Sequence, residues 1–176
     1  MKTLRSWLGL DAQEPAAEQP ALRQMLDALE RLPPERARFL AGFAYLLGRV
    51  ARADQRVSDE ETRAMEDLVS THGLIPSEQA MLVVGLAKTS TLLFGGTADF
   101  LVAREFSALA SYDEKLALLK CLFAVSSADE AISIEEESEI HRIANALKID
   151  RIDIVAARVA YRRFLPGLGS PSDPPS

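Results

Sequence analysis

The strongest constraint on what this chain can fold into is a phrase that occurs twice. Residues 53–61 read ADQRVSDEE and residues 128–136 read ADEAISIEE, so Ala-Asp, Ser and Glu-Glu recur in register 75 residues apart. Val57 and Ile132 fill the apolar slot between them. Apolar positions on either side align as well. Phe43, Leu47 and Val50 match Leu118, Leu122 and Val125, and Met65, Leu68 and Leu74 match Ile140, Ile143 and Ile149. Steps of three, four and seven mark one face of an α-helix. A period of 75 residues is too long for one solenoid unit, so the pattern predicts two related helical units, not an array.

The remaining segments read the same way. Ala21–Leu32 predicts a short helix stopped by Pro33-Pro34, and Pro34 suits the first turn of the next one. There Phe39, Phe43, Leu46, Leu47 and Val50 form one stripe. A helix from about Asp59 carries Met65, Leu68, Val69 and His72 on one face, and residues 77–88, apolar nearly all round, predict a central buried helix. TSTLLFGGT reads as a connector, and further helices are expected at about 98–110, 113–127, 134–147 and 151–164. Long alternation is absent, while Ala, Leu, Glu and Arg dominate. The expected fold class is all-α, a compact bundle of seven to eight helices built from two related helical repeats. Residues 1–20 are expected to be an N-terminal segment and linker, 21–164 the helical domain and 165–176 a disordered tail rich in Pro, Gly and Ser.

Composition narrows the function classes. With 176 residues, 48% of them apolar, the chain can bury a core without staples. A net charge of −6 argues against a nucleic-acid partner, which needs clustered Lys and Arg. The lone Cys121 allows no disulfide framework, fits a reducing, cytoplasmic setting and lies in the apolar run LALLKCLFAV as a small buried hydrophobe. No segment reaches the ~18 apolar residues of a membrane span. MKTLRSWLGL lacks the h-region of a signal peptide, though Trp7 and Leu8 opposite Lys2 and Arg5 would allow a short amphipathic turn and peripheral membrane contact.

Much of the repeated phrase is explained by helix capping. Ser58 with Glu61, and Ser133 with Glu136, have the spacing of a capping box, and Asp59, Glu60 and Glu135 complement a helix N-terminus. Val57 and Ile132, just before the caps, are placed for a hydrophobic staple. Capping does not account for Asp54 and Asp129. Each ends a predicted helix, where the macrodipole disfavours negative charge by up to ~1 kcal/mol. A local rule broken twice implies a partner, either a loop amide or a hard cation gathering several carboxylate oxygens. The candidate ligands are Asp54, Glu60 and Glu61 in the first copy and Asp129, Glu135 and Glu136 in the second, for a weak Ca²⁺, Mg²⁺ or Mn²⁺ site. This is no EF-hand, because position twelve counted from either Asp is Met65 or Ile140. Arg52 and Arg56 flank Asp54, whereas Glu130 and Glu137 surround the second motif, which makes the second copy the better cation candidate.

The pattern Ala-Asp-x-x-(Val/Ile)-Ser-x-Glu-Glu, used twice after an apolar helix, resembles the tellurite-resistance TerB-like family. LFAVSSADEAISIEEESEIHRIANALKI is the closer match and FAYLLGRVARADQRVSDEETRAMEDLV the next, with the similarity spanning about residues 37–163. The resemblance implies an all-helical bundle whose acidic motif residues, here Asp54, Ser58, Glu60, Glu61, Asp129, Ser133, Glu135 and Glu136, form a negative patch. In the family that patch is proposed to bind divalent cations in a bacterial stress response, with some relatives cytoplasmic and some linked to the membrane. The residue after the motif Asp is commonly Gly there, but Gln55 and Glu130 here. Other chemistry is not indicated. His72 and His141 have no second His or Cys at ligand spacing. Ser58, Ser133 and Ser126-Ser127 lack His–Asp machinery, and Gly95-Gly96 lacks the Lys of a phosphate loop. Expected, then, is a non-enzymatic, cytoplasmic protein that binds a divalent cation and a protein partner. The alternative is a metal-independent interaction module in which the acids only cap helices.

Overall fold

The computed structural model describes residues 20–51, 58–90, 99–129 and 131–165, and at 89, 90, 99, 100 and 129 it describes the backbone only. Eight α-helices make up nearly all of it: α1 (Pro20–Glu30), α2 (Pro34–Val50), α3 (Asp59–His72), α4 (Ser77–Ser90), α5 (Asp99–Leu109), α6 (Tyr112–Ser126), α7 (Ile134–Ala146) and α8 (Arg151–Ala160). Short 3₁₀ turns follow α6 at Ser127–Asp129 and α8 at Arg162–Phe164. The described residues contain no strand. The all-α class and the helix count are therefore as the periodicity requires. Pro20 already belongs to α1, and Leu165 is buried, so the described fold reaches one residue beyond the expected 21–164 at each end. Trp7, Leu8, Lys2 and Arg5, most of the connector at 91–98, and residues 166–176 lie outside the described residues.

Two helices form the centre. Pro34 opens α2 at N1, where a missing N–H costs nothing, and twelve of its seventeen residues are buried, Phe39 to Leu47 without a break. Helix α6 buries everything from Ala117 to Ser126 except Lys120. These are the helices that precede the two copies of the repeated phrase, and they pack against each other. The helix after each phrase lies against the other copy's apolar helix: α3 on α6, and α7 on α2. Rings lock further elements onto this pair. Phe106 of α5 stacks on Phe39 at 5.2 Å and meets Phe43 edge-on at 6.3 Å, while Tyr161 stacks on Phe123 at 5.7 Å. Cys121 is fully buried among these side chains, and burial pushes its thiol up to about 12.

Three expectations need correcting. Helix α4 does pack on α1, α2 and α3, but Met81 is 58% exposed, so its second apolar face meets solvent instead of more core. At the second copy the hydrophobic staple does not form in its usual sense, because the N4 position is Glu137. Ile132 instead inserts into the main core, and its N–H donates to the Phe164 carbonyl at 2.7 Å; Val57 lies outside the described residues. Leu74 is not the counterpart of Ile149. Leu74 is 64% exposed in a left-handed conformation (φ 55°), whereas Ile75 is buried as Ile149 is. Helix α7, at thirteen residues, is one shorter than α3 at fourteen, so the register slips by one at the helix ends and Leu74 corresponds to Lys148 (φ 58°). At Gly73 a Cβ would meet the Val69 carbonyl oxygen at 2.5 Å and the Phe43 ring at 3.0 Å, so only glycine lets α3 end against α2.

Candidate functional site: the acidic helix starts

Both copies of the phrase begin a helix with a complete capping box. Ser58 N–H donates to Glu61 Oε2 at 2.7 Å and Glu61 N–H to Ser58 Oγ at 3.1 Å. Ser133 and Glu136 repeat this at 2.7 and 3.1 Å. Four orphan amides are thereby satisfied by side chains that the same two residues supply in each copy. The amide and hydroxyl of Ser58 hold the Glu61 carboxyl below its ordinary value, as expected for a carboxylate accepting such bonds. Glu60 and Glu135 point to solvent on the first turns of α3 and α7.

The remaining predicted ligands are placed less completely. Asp54 lies outside the described residues. The Asp129 backbone closes the 3₁₀ turn after α6, and its side chain lies outside the description. Among the described residues no group of three or more His, Cys, Asp and Glu side chains is arranged to hold a metal ion. Next to the second motif, the Ser126 hydroxyl is buried and has no hydrogen-bond partner among the described residues.

Side chains around the second copy have duties that spacing did not reveal. Glu137, expected to add charge to the motif, instead accepts from Arg158 Nε of α8 at 2.5 Å, with His141 Nε2 3.9 Å away. His141 is otherwise a partly exposed helix residue, as expected. Glu139, 15% exposed, pairs with Arg49 at the end of α2 and with Arg142 at 2.9 Å. A third capping box was legible in Ser111-Tyr-Asp-Glu114 and went unread, since it lies outside the repeat; its bonds are 2.8 and 3.2 Å. Tyr112 beside it donates to Asp153 at 2.6 Å and accepts from the Asp150 amide at 3.0 Å, clamping the start of α8. The bond to Asp153 is the main reason the Tyr112 hydroxyl is raised above its ordinary pKa.

Two helix-capped acidic starts, each behind a buried apolar helix of one bundle, form the arrangement that the repeated phrase announces. Residues 40–159 match the family described as Tellurite resistance protein TerB. This chain belongs to the TerB family. No curated protein and no solved structure matches it significantly. The family match takes in α3 to α7 whole, α2 from Leu40 onward and all but the last residue of α8, and so both acidic starts. No helix among the described residues is long and apolar enough to cross a membrane.

Proposed function

We propose that this TerB-family chain acts by binding and not by catalysis, as a cytoplasmic stress-response protein of the tellurite-resistance type. In this reading its acidic repeat takes a divalent cation and so adjusts contact with a protein partner. The observation that carries the proposal is negative charge held in a fixed place: each capping box commits one carboxylate oxygen, Oε2 of Glu61 or Glu136, and leaves Glu60 or Glu135 exposed beside it. A hard cation wants about six or more oxygens, so Glu135 and Glu136 need Asp129 and water to complete a shell. The Ser126 hydroxyl, three residues before Asp129 and without a hydrogen-bond partner among the described residues, supports the second copy as the one to hold the ion. The single thiol supports a non-catalytic role, since Cys121, sealed and raised to about 12, carries almost no thiolate at neutral pH.

The test is calorimetric titration of chelator-stripped protein with Ca²⁺, Mg²⁺ and Mn²⁺, beside Asp129→Asn and Asp54→Asn. Saturable heat lost in Asp129→Asn supports the cation reading. Silence up to millimolar ion assigns the motif to capping. One observation favours that second reading, a metal-independent interaction module: the Ser111–Glu114 box forms equally well with no repeated Ala-Asp before it, so a box needs no ion to form. Under that reading chelator leaves the unfolding midpoint unchanged.

A further inference from the structure

Helix α8 turns an apolar face outward. Ile152, Val155 and Val159 are 78%, 49% and 53% exposed. Their spacing places them on one face along about 10 Å of helix. Among the described residues, each other helix exposes at most one large apolar side chain. The inner face is well occupied: Ile154 and Ala157 are buried, and Asp153 is held by Tyr112. The outward stripe is thus a deliberate surplus over what the core needs.

Charge is sorted around that stripe. At about 100° per residue, Arg151 and Arg158 run along one flank, while Asp150 and Asp153 lie more than about 120° from its centre. Arg162 and Arg163, both exposed, follow directly, with the Arg163 guanidinium 4.5 Å from the Phe164 ring centre. Residues 148–163 hold five cations (Lys148, Arg151, Arg158, Arg162, Arg163) against two carboxylates, a net of +3 in a chain of −6. The stripe also stands as a ridge between two clefts. One, of about 520 Å³, opens towards Glu137 and His141 of α7, and the other, of about 380 Å³, towards His72 of α3 and Lys120 of α6.

We propose that α8 is a docking ridge for a membrane surface rich in anionic headgroups. Ile152, Val155 and Val159 enter the interfacial layer, and Arg151, Arg162 and Arg163 reach the lipid phosphates, an arrangement of shallow apolar contact plus cationic flank. Val155 edges the larger cleft, but Ile152 and Val159 line neither, so a surface laid on the helix meets all three where a peptide filling a cleft would not. Among the described residues that line the cleft, the one carboxylate facing the arginine flank, Glu137, is paired with Arg158 at 2.5 Å. Asp150, which caps α8, and Asp153, which lines the other cleft and is held by Tyr112, both lie off the stripe.

Cosedimentation of the full chain with phosphatidylglycerol/phosphatidylethanolamine vesicles, and with phosphatidylcholine vesicles, tests this at low and high salt. The parent is expected to bind the anionic vesicles only, more weakly at high salt. Ile152→Ser/Val155→Ser/Val159→Ser and, separately, Arg151→Glu/Arg162→Glu are each expected to weaken binding about tenfold or more. All five positions are exposed, so an unchanged unfolding midpoint checks that the fold survives. Trp7→Ser/Leu8→Ser is expected to bind like the parent, and Trp7, the chain's single tryptophan, reports any N-terminal contact by its emission. Absence of parent binding to the anionic vesicles overturns the proposal. So does parent-like binding by both α8 variants, which would place the contact elsewhere.

Discussion

The two acidic helix starts, Ser58–Glu61 and Ser133–Glu136, form the same local structure, and the helices they open do different work in the fold. Their capping boxes agree to 0.1 Å or better, yet α3 buries only Val69 fully, with Met65 and Leu68 half-covered. Helix α7 buries Ile140, Ile143 and Ala144, accepts Arg49 and Arg158 from two other helices, and is preceded by Ile132 in the core. The capping code acts within one turn and is blind to what lies beyond it. Position in the bundle covered more of α7 than of α3, where Lys88 reaches Thr62 at 2.7 Å as a partly exposed tie.

The sharpest way to break this comparison is to empty equivalent positions. Ile140→Ala is expected to cost about 3–4 kcal/mol of unfolding free energy and Met65→Ala about 1 or less, measured by urea denaturation. Equal losses would mean that α3 is as embedded as α7. Next in size is the link between copies. Arg49→Met or Glu139→Gln should each cost about 1–2 kcal/mol, because a mostly covered charge loses its partner, with strong non-additivity in the double variant.

The caps should behave alike in both copies. Ser58→Ala, Ser133→Ala and Ser111→Ala are each expected to cost about 1 kcal/mol. A much larger loss for Ser133→Ala would show that the box and the Ile132 insertion act together. The Glu61 carboxyl lies below its ordinary value in the folded state, so its contribution is full above that ordinary value and fades as pH falls through the lowered one. The stability difference between the parent and Glu61→Gln should therefore be present at neutral pH and vanish in acid. The smallest effects belong to the helix ends. Leu74→Gly and Lys148→Gly should each stabilise by up to about 1 kcal/mol in thermal unfolding, since both residues adopt a left-handed backbone that glycine takes without strain.

Helix spans were legible to within about two residues because periodicity, Pro33-Pro34 and the Ser-x-x-Glu caps are local signals; α8 alone ends four residues before the expected 164, passing into the 3₁₀ turn Arg162–Phe164. The same locality explains the errors. Leu74 was aligned by counting, but one residue fewer in α7 moved the core position to Ile75. Met81 belongs to an apolar helix whose last face found no neighbour. Of the candidate site, the boxes of Ser58–Glu61 and Ser133–Glu136 were readable from spacing alone. The partners of Glu137 and Glu139 were not, since Arg158 and Arg49 lie 21 and 90 residues away in the chain.

By itself the sequence determined that the chain is all helix, where each helix starts, and that two acidic starts recur, because capping and amphipathic period act over one or two turns. The tertiary structure alone decided which of α3 and α7 is the more buried, which glutamates are neutralised and which face of α8 meets solvent. Those outcomes depend on what packs across from each residue, and in a bundle such neighbours come from helices tens of residues away.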